Sequence, residues 1–195
     1  MIPIQDFVNE ICAISESRFT HENVLAFLRE HPVDIATLSP YLYFCQEHYT
    51  RNLIHRNPLF ELNALCWEVG QKSPIHNHRD QNCWMAMAYG SLQVHNFSLV
   101  KKDPERHFCE LKSSGQIVID RDHPTEVDPA EPIHAVMNLA SFNSKAVSLH
   151  VYSRPYDSCE IYDLKNRTYE DQLMINQSEF GKLKTDWKVE KVNLA

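Results

Sequence analysis

The sequence predicts a mainly β protein, a sandwich or jelly-roll barrel standing behind a helical N-terminal quarter. Apolar residues recur at helical spacing only as far as residue 48. From Tyr49 onward, short runs rich in Val, Ile, Tyr, Phe and Trp alternate with turn residues, the mark of strands. No long helical pattern separates those runs, so the strands must bury their faces against other strands.

In chain order, residues 4–14 set Phe7, Ile11 and Ile14 on one helical face, and residues 21–30 do the same with Val24, Phe27 and Leu28. Asp6 and Thr20 are the expected caps, and His31–Pro32 ends the second helix. Ile35 to His48 carries Leu38, Leu42 and Cys45 at similar spacing, interrupted by Pro40. The expected strands are Glu61 to Val69, Pro74 to His78, Cys83 to Tyr89, Leu92 to Leu99, Arg106 to Leu111, Gln116 to Asp120, Ile133 to Leu139, Ala146 to Ser153 and Glu160 to Asp163. Gly90 and Gly115 fall between strands, where tight turns are expected. Beyond Thr168 the polar, weakly patterned chain predicts a hairpin and a surface segment without functional residues. At 195 residues the chain fits one domain, 1–195, with a helical N-terminal segment over residues 1–48, a β-barrel over 49–168 and a C-terminal extension over 169–195.

A net charge of −7 with no basic run excludes a nucleic-acid surface. Nothing in the sequence is apolar for long enough to span a bilayer, and the N-terminus is not a leader, so a cytoplasmic protein without membrane contact is expected. Cys12, Cys45, Cys66, Cys83, Cys109 and Cys159 form no CxxC pair. They are expected as free thiols of a reducing compartment, most of them packed in the core.

The chemistry centres on Pro74-Ile75-His76-Asn77-His78. In a strand alternate side chains share a face, so His76 and His78 point the same way, about 7 Å apart, a spacing that suits one metal ion. A catalytic metal usually needs a third protein ligand. His134, alone in the apolar run from Ile133 to Asn138, is the candidate, although by itself a histidine so placed is more often a packed core residue. Taken together, Gly70, His76, His78 and Gly90, then Pro129, His134 and Asn138, resemble the two motifs of the cupin superfamily. The glutamate of the first motif is replaced by Cys83 and the inner glycine of the second by Glu131. Three neutral imidazoles leave a divalent charge uncompensated, which favours an anionic ligand, and a thiolate is a soft ligand of that kind.

Tyr49-Thr50-Arg51-Asn52-Leu53, Leu65-Cys66-Trp67, the stretch from Ile75 through Cys83, and Ala146 to Ser153 resemble cysteine dioxygenase, in order and from about residue 41 to residue 163. The resemblance implies a cupin jelly-roll β-barrel (double-stranded β-helix) with an α-helical N-terminal segment. It implies a mononuclear ferrous ion, Fe(2+), on His76, His78 and His134, and no organic cofactor. Arg51 then binds the substrate carboxylate, assisted by Tyr49, since a guanidinium pairs with a carboxylate through two parallel hydrogen bonds.

By period two, Ser148, His150 and Tyr152 share one strand face. That pattern alone fits a solvent-exposed face equally well; the resemblance makes it a catalytic relay inside the barrel. It also implies a thioether bond between Cys83 and Tyr152. The family commonly has a cis Ser-Pro bond where this chain has Ser153-Arg154-Pro155. A cis bond before a non-proline residue costs roughly 3 kcal/mol, so Ser153–Arg154 is expected to be trans or strained, with Arg154 toward solvent. Cys159 is expected as a packed thiol near the pocket.

The activity implied is that of an iron-dependent oxidoreductase, a thiol dioxygenase that converts L-cysteine and O2 to cysteine sulfinic acid in sulfur amino-acid catabolism and taurine metabolism. Substrate would bind the metal through its thiolate and amine, and the protein would act as a monomer. A dioxygenase of 3-mercaptopropionate is the nearest alternative, though that group usually carries glutamine in place of Arg51. A non-catalytic metal-binding cupin sensor is the alternative of another class, and a zinc cupin isomerase, which normally retains the missing glutamate, is a third.

Overall fold

The structure, a computed structural model, describes residues 1–127, 132–184, 187–192 and 194. Pro129 and Glu131 of the second motif lie outside the described residues.

Helix α1 (Ile4–Cys12) buries Ile4, Phe7 and Ile11. Its cap is Pro3 rather than the expected Asp6, which sits inside the first turn and makes no capping bond. Near a helix start proline's preset φ is suitable and its missing N–H costs nothing, while the Asp6 carboxylate still favours the positive helix end. Helix α2 (His21–Glu30) begins at Thr20, whose hydroxyl accepts from the Asn23 N–H at 3.4 Å. Ile35–Tyr41 is a 3-10 helix with Pro40 inside it. Proline cannot donate an internal helical bond, so the helical run stops short of His48 and the chain turns extended.

The strands are β1 (Tyr43–Phe44), β2 (Thr50–Arg56), β3 (Glu61–Trp67), β4 (Ile75–His76), β5 (Asn82–Tyr89), β6 (Leu92–Asp103), β7 (Phe108–Ile119), β8 (Thr125–Glu126), β9 (Ile133–Met137), β10 (Ala146–Ser153), β11 (Ser158–Asp163), β12 (Thr168–Leu173), β13 (Ser178–Glu179), β14 (Lys182–Leu183) and β15 (Glu190–Lys191). One sheet runs β14-β13-β2-β3-β10-β5-β8. A second, β11-β12-β7-β6-β9-β4, closes on itself through the β4–β11 pair, and β1 and β15 pair as a separate two-stranded sheet. The seven-stranded sheet and the closed one face each other as a jelly roll. Between them lies a core that joins Leu65, Trp67, Met85 and Tyr152 of the first sheet to Leu92, Val94, Val136 and Cys159 of the second.

Where this differs from the expected elements, the causes are visible. Strand β2 is hidden in sequence because Thr50, Arg51 and Asn52 are polar, yet all three are buried. Gly115 makes no turn: the two runs around it are one strand, β7, and the register with β6 slips there, Asn96 facing Gly115 and Phe97 facing Ser113. Such a bulge inserts one extra residue without ending the pairing. The chain beyond Thr168 is not merely surface, because β12 pairs with β7 and β11 while β13 pairs in parallel with β2.

The N-terminal helices decide which face of the first sheet looks inward. Phe7, Ile11, Val24, Phe27 and Leu28 pack with Leu62, Ala64, Val147, Leu149 and Val151 on its outer face. The alternate residues of β10, Ser148, His150 and Tyr152, therefore point between the sheets, buried to within a few per cent.

Candidate metal centre and anion pocket

His76 and His134 are direct partners across the β4–β9 pair. His78 follows two residues after His76, and the three ring centroids lie 4.7 to 5.1 Å apart. One ring nitrogen from each lies within 4.8 Å of the others. His78 Nδ1 and Nε2 and His134 Nδ1 are buried without a hydrogen-bond partner among the described residues. Buried polar atoms are normally paired, so convergent orphaned nitrogens are a donor set suited to a divalent cation. His76 Nδ1 lies 3.0 Å from the Pro74 carbonyl and donates its proton there, which leaves Nε2 with the lone pair a ligand needs. Burial lowers all three histidines, His76 to about 4, so they stand as the neutral imidazoles that bind metals. Among the described residues no carboxylate joins the cluster.

Arg51 points into the same space from β2. It is 6% exposed; Nη1 donates to the Tyr152 hydroxyl at 3.2 Å and Nη2 pairs with Glu61 at 3.3 Å. Burial opposes its charge, but the phenols of Tyr152, Tyr156 and Tyr49 and the Glu61 carboxylate outweigh that cost. Glu61 is a site residue that the sequence reading missed, since it looked like the polar start of a strand. Burial raises its carboxyl, while Arg51, Arg56 and the Asn63 amide pull it back down. Arg56 in turn pairs with Glu61 at 3.3 Å and with Asp157 at 2.8 Å, so an ionic chain runs from the surface to the site. Tyr49 stacks on Trp67 with centroids 4.3 Å apart.

On β10, His150 Nδ1 is 3.1 Å from the Tyr152 hydroxyl and Nε2 is 2.9 Å from Ser148 Oγ, which also accepts from Trp67 Nε1 at 3.0 Å. Indole is only a donor, so the arrangement satisfying every group has Ser148 O–H donating to Nε2 and Nδ1–H donating to Tyr152. The Tyr152 oxygen then accepts twice, from His150 and from Arg51, and its own O–H is left to donate into the site. Burial keeps that phenol protonated and holds His150 neutral. Cys83 lies opposite Tyr152 in the β5–β10 register and is fully buried, which pushes its thiol up.

The C-terminal segment also builds the site. Gln177 accepts from the Arg51 N–H at 2.7 Å through its side chain, and its own N–H donates to the Arg51 carbonyl at 2.8 Å. A cavity of about 360 Å³ opens onto Arg51 and Tyr49 and is completed by Lys72, Met174, Gln177 and Trp187. Cys159 packs with its sulfur 3.2 Å from that of Met174. Asn138 of the second motif ties strand ends together, its amide donating to the carbonyls of Trp67, Glu68 and Ser144.

The Ser153–Arg154 peptide bond is cis, against expectation. Tertiary contacts unavailable to a local rule surround it: the Arg154 N–H donates to Gln81 Oε1 at 2.5 Å, and the exposed guanidinium pairs with Glu16.

Among known proteins, the sequence model of the family described as cysteine dioxygenase type I matches residues 3–165. The cysteine dioxygenase type 1 proteins of Bos taurus and Danio rerio are each 31% identical to this chain, over 82% of it and over 78% and 77% of their own lengths. A solved double-stranded β-helix protein from Klebsiella pneumoniae is similar at a TM-score of 0.47 and 12% identity, covering 60% of this chain and 80% of its own.

Proposed function

The chain belongs to the cysteine dioxygenase type I family, and from that premise we infer that it oxidises the thiol of L-cysteine with O2 to cysteine sulfinic acid, using a ferrous ion held by His76, His78 and His134. One observation carries this reading: three neutral, convergent imidazoles, joined by no carboxylate among the described residues, stand beside a buried guanidinium and a phenol with an O–H to give. The reaction balances without a reductant, because sulfur supplies four electrons and receives both oxygen atoms.

Iron bound there supplies the one-electron chemistry by which dioxygen reacts with a thiolate. The protein's own residues do the rest. Arg51 receives the substrate carboxylate and Tyr49 assists, so the thiol is delivered in one orientation. Tyr152, oriented by His150 and Ser148, donates its hydroxyl to the reacting sulfur and oxygen. The sheets and Trp67 exclude water, which strengthens each of these polar contacts.

The same reading makes Cys83 and Tyr152 partners of a thioether, formed with loss of two hydrogens and with O2 as oxidant. Peptide mass spectrometry after turnover should find the linked peptide two hydrogens lighter; only unlinked peptides would remove the idea. It further takes the chain as one domain over residues 1–195, a cytoplasmic monomer in sulfur amino-acid catabolism and taurine metabolism.

The deciding experiment is oxygen uptake by ferrous-loaded protein with L-cysteine, 3-mercaptopropionate and cysteamine in parallel, with sulfinate quantified. One sulfinate per O2 and a preference for cysteine is the expected result. Preference for 3-mercaptopropionate would overturn the role of Arg51, and no uptake with metal bound would leave a binding protein.

A further inference from the structure

Tyr156 lies in the short connection between β10 and β11, and it is 9% exposed. Its ring meets Tyr152 edge-on, centroids 5.3 Å apart at 90°, and stands 6.1 Å from His78 at 72°. It thus touches both the relay and the histidine cluster. Its hydroxyl is shut off from solvent and has no hydrogen-bond partner among the described residues.

Such a hydroxyl calls for an explanation. A buried tyrosine ordinarily finds a partner for its O–H, because an unpaired one forfeits its hydration without return. Tyr162 follows that rule, donating to Glu160 at 2.7 Å. Phenylalanine would fill the space of Tyr156 and leave nothing unpaired. The surroundings indicate what the hydroxyl serves: the Tyr152 ring that Tyr156 meets has the Arg51 guanidinium 5.2 Å from its centroid, and Arg51 Nη1 donates to the Tyr152 hydroxyl at 3.2 Å. A donor beside a buried cation is complementary to one kind of group, an anion bound by both.

We propose that Tyr156 is a substrate-binding residue whose hydroxyl donates a hydrogen bond to the carboxylate held by Arg51. The carboxylate is then gripped by a guanidinium from β2 and a phenol from the β10–β11 connection, which fixes its orientation as well as its charge. This deepens the proposed function and rests on it.

The test is Tyr156→Phe in the full-length protein, read with L-cysteine and with cysteamine, which lacks the carboxylate. With iron bound, KM for cysteine should rise about tenfold, the worth of a hydrogen bond to a charged group, with a smaller change in kcat. KM for cysteamine should stay within about twofold. Two readouts need no turnover. The melting temperature of the unliganded variant should equal or exceed that of the wild type, since an unpaired hydroxyl is gone. The extra thermal stabilisation by cysteine under anaerobic conditions should shrink, while that by cysteamine stays unchanged. Equal changes with both thiols, or a lower melting temperature with KM for cysteine unchanged, would make the hydroxyl structural and overturn the proposal. Failure of the wild type to turn over any thiol would instead overturn the function, and the anaerobic shifts would still decide whether Tyr156 recognises a carboxylate.

Discussion

Replacing Arg51 by alanine should do two separable things. The Glu61 side chain is 2% exposed, and after the change it keeps Arg56 at 3.3 Å and the Asn63 amide at 3.1 Å but loses its buried partner. Breaking a buried ion pair outright costs about 3–5 kcal/mol; with Arg56 still present, about 2–3 kcal/mol is expected. For a chain of this size that is a fall of roughly 4–12 °C in melting temperature. The second effect is on recognition. A charge-assisted hydrogen bond is worth about 1.5–3 kcal/mol, so kcat/KM for L-cysteine should fall roughly 10- to 150-fold. Cysteamine should lose only the severalfold contribution of the Nη1 bond to Tyr152. The double variant Arg51→Ala/Glu61→Gln separates the two, because a neutral amide no longer needs the guanidinium. It should regain most of the melting temperature and none of the preference for cysteine. Thermal unfolding and an oxygen electrode suffice. Equal losses for the two thiols would refute the carboxylate role, and an unrecovered melting temperature would refute the buried pair.

Two further outcomes follow from the geometry. Gly90 sits at φ +70°, and a Cβ there would lie 2.5 Å from the Lys145 carbonyl oxygen and 3.2 Å from Ala146 Cα. Gly90→Ala should therefore cost at least about 2 kcal/mol, or roughly 4–8 °C, with KM for cysteine unchanged; a variant as stable as the wild type would mean that this turn readily gives way. His150 is held well below its ordinary 6.5 by burial, then by the charge of Arg51. The unfolded chain thus takes up a proton below pH 6.5 that the folded chain refuses, so the contribution is whole above 6.5 and is lost as pH falls. In metal-free protein, His150→Gln should flatten the decline of unfolding free energy between pH 6.5 and 5.5 by about 1 kcal/mol. Denaturant titrations at the two pH values measure it, and parallel declines would contradict it.

What was legible in the residues is what depends on local periodicity and residue chemistry. Alternation along an extended chain put His76 and His78 on one face, and the same alternation put Ser148, His150 and Tyr152 together. The Thr20 cap and the His31 helix end are likewise local. Where a local rule has two solutions, periodicity could not choose. The polar face of β10 could equally have met water; it faces inward because α1 and α2 cover the apolar face opposite. Gly115 could have been a turn or a bulge, and the partner strand made it a bulge.

By itself, then, the sequence determined the mainly β character and the shared face of His76 and His78, since each is carried by spacing, while His134 and Arg51 were singled out by the family resemblance and by no local pattern. Only the tertiary structure decided how Arg51 is held. Glu61 arrives from β3 and Gln177 from a segment 126 residues downstream, whose polar pattern resembles ordinary surface. Tyr156 belongs with these: nothing in Arg154-Pro155-Tyr156 says that its hydroxyl will be buried with no partner among the described residues, its ring against Tyr152 and the Arg51 guanidinium on that same ring. Pairings between distant residues arise from where chain segments are packed together, and burial turns weak surface contacts into strong ones, so their energies appear only once the fold has formed.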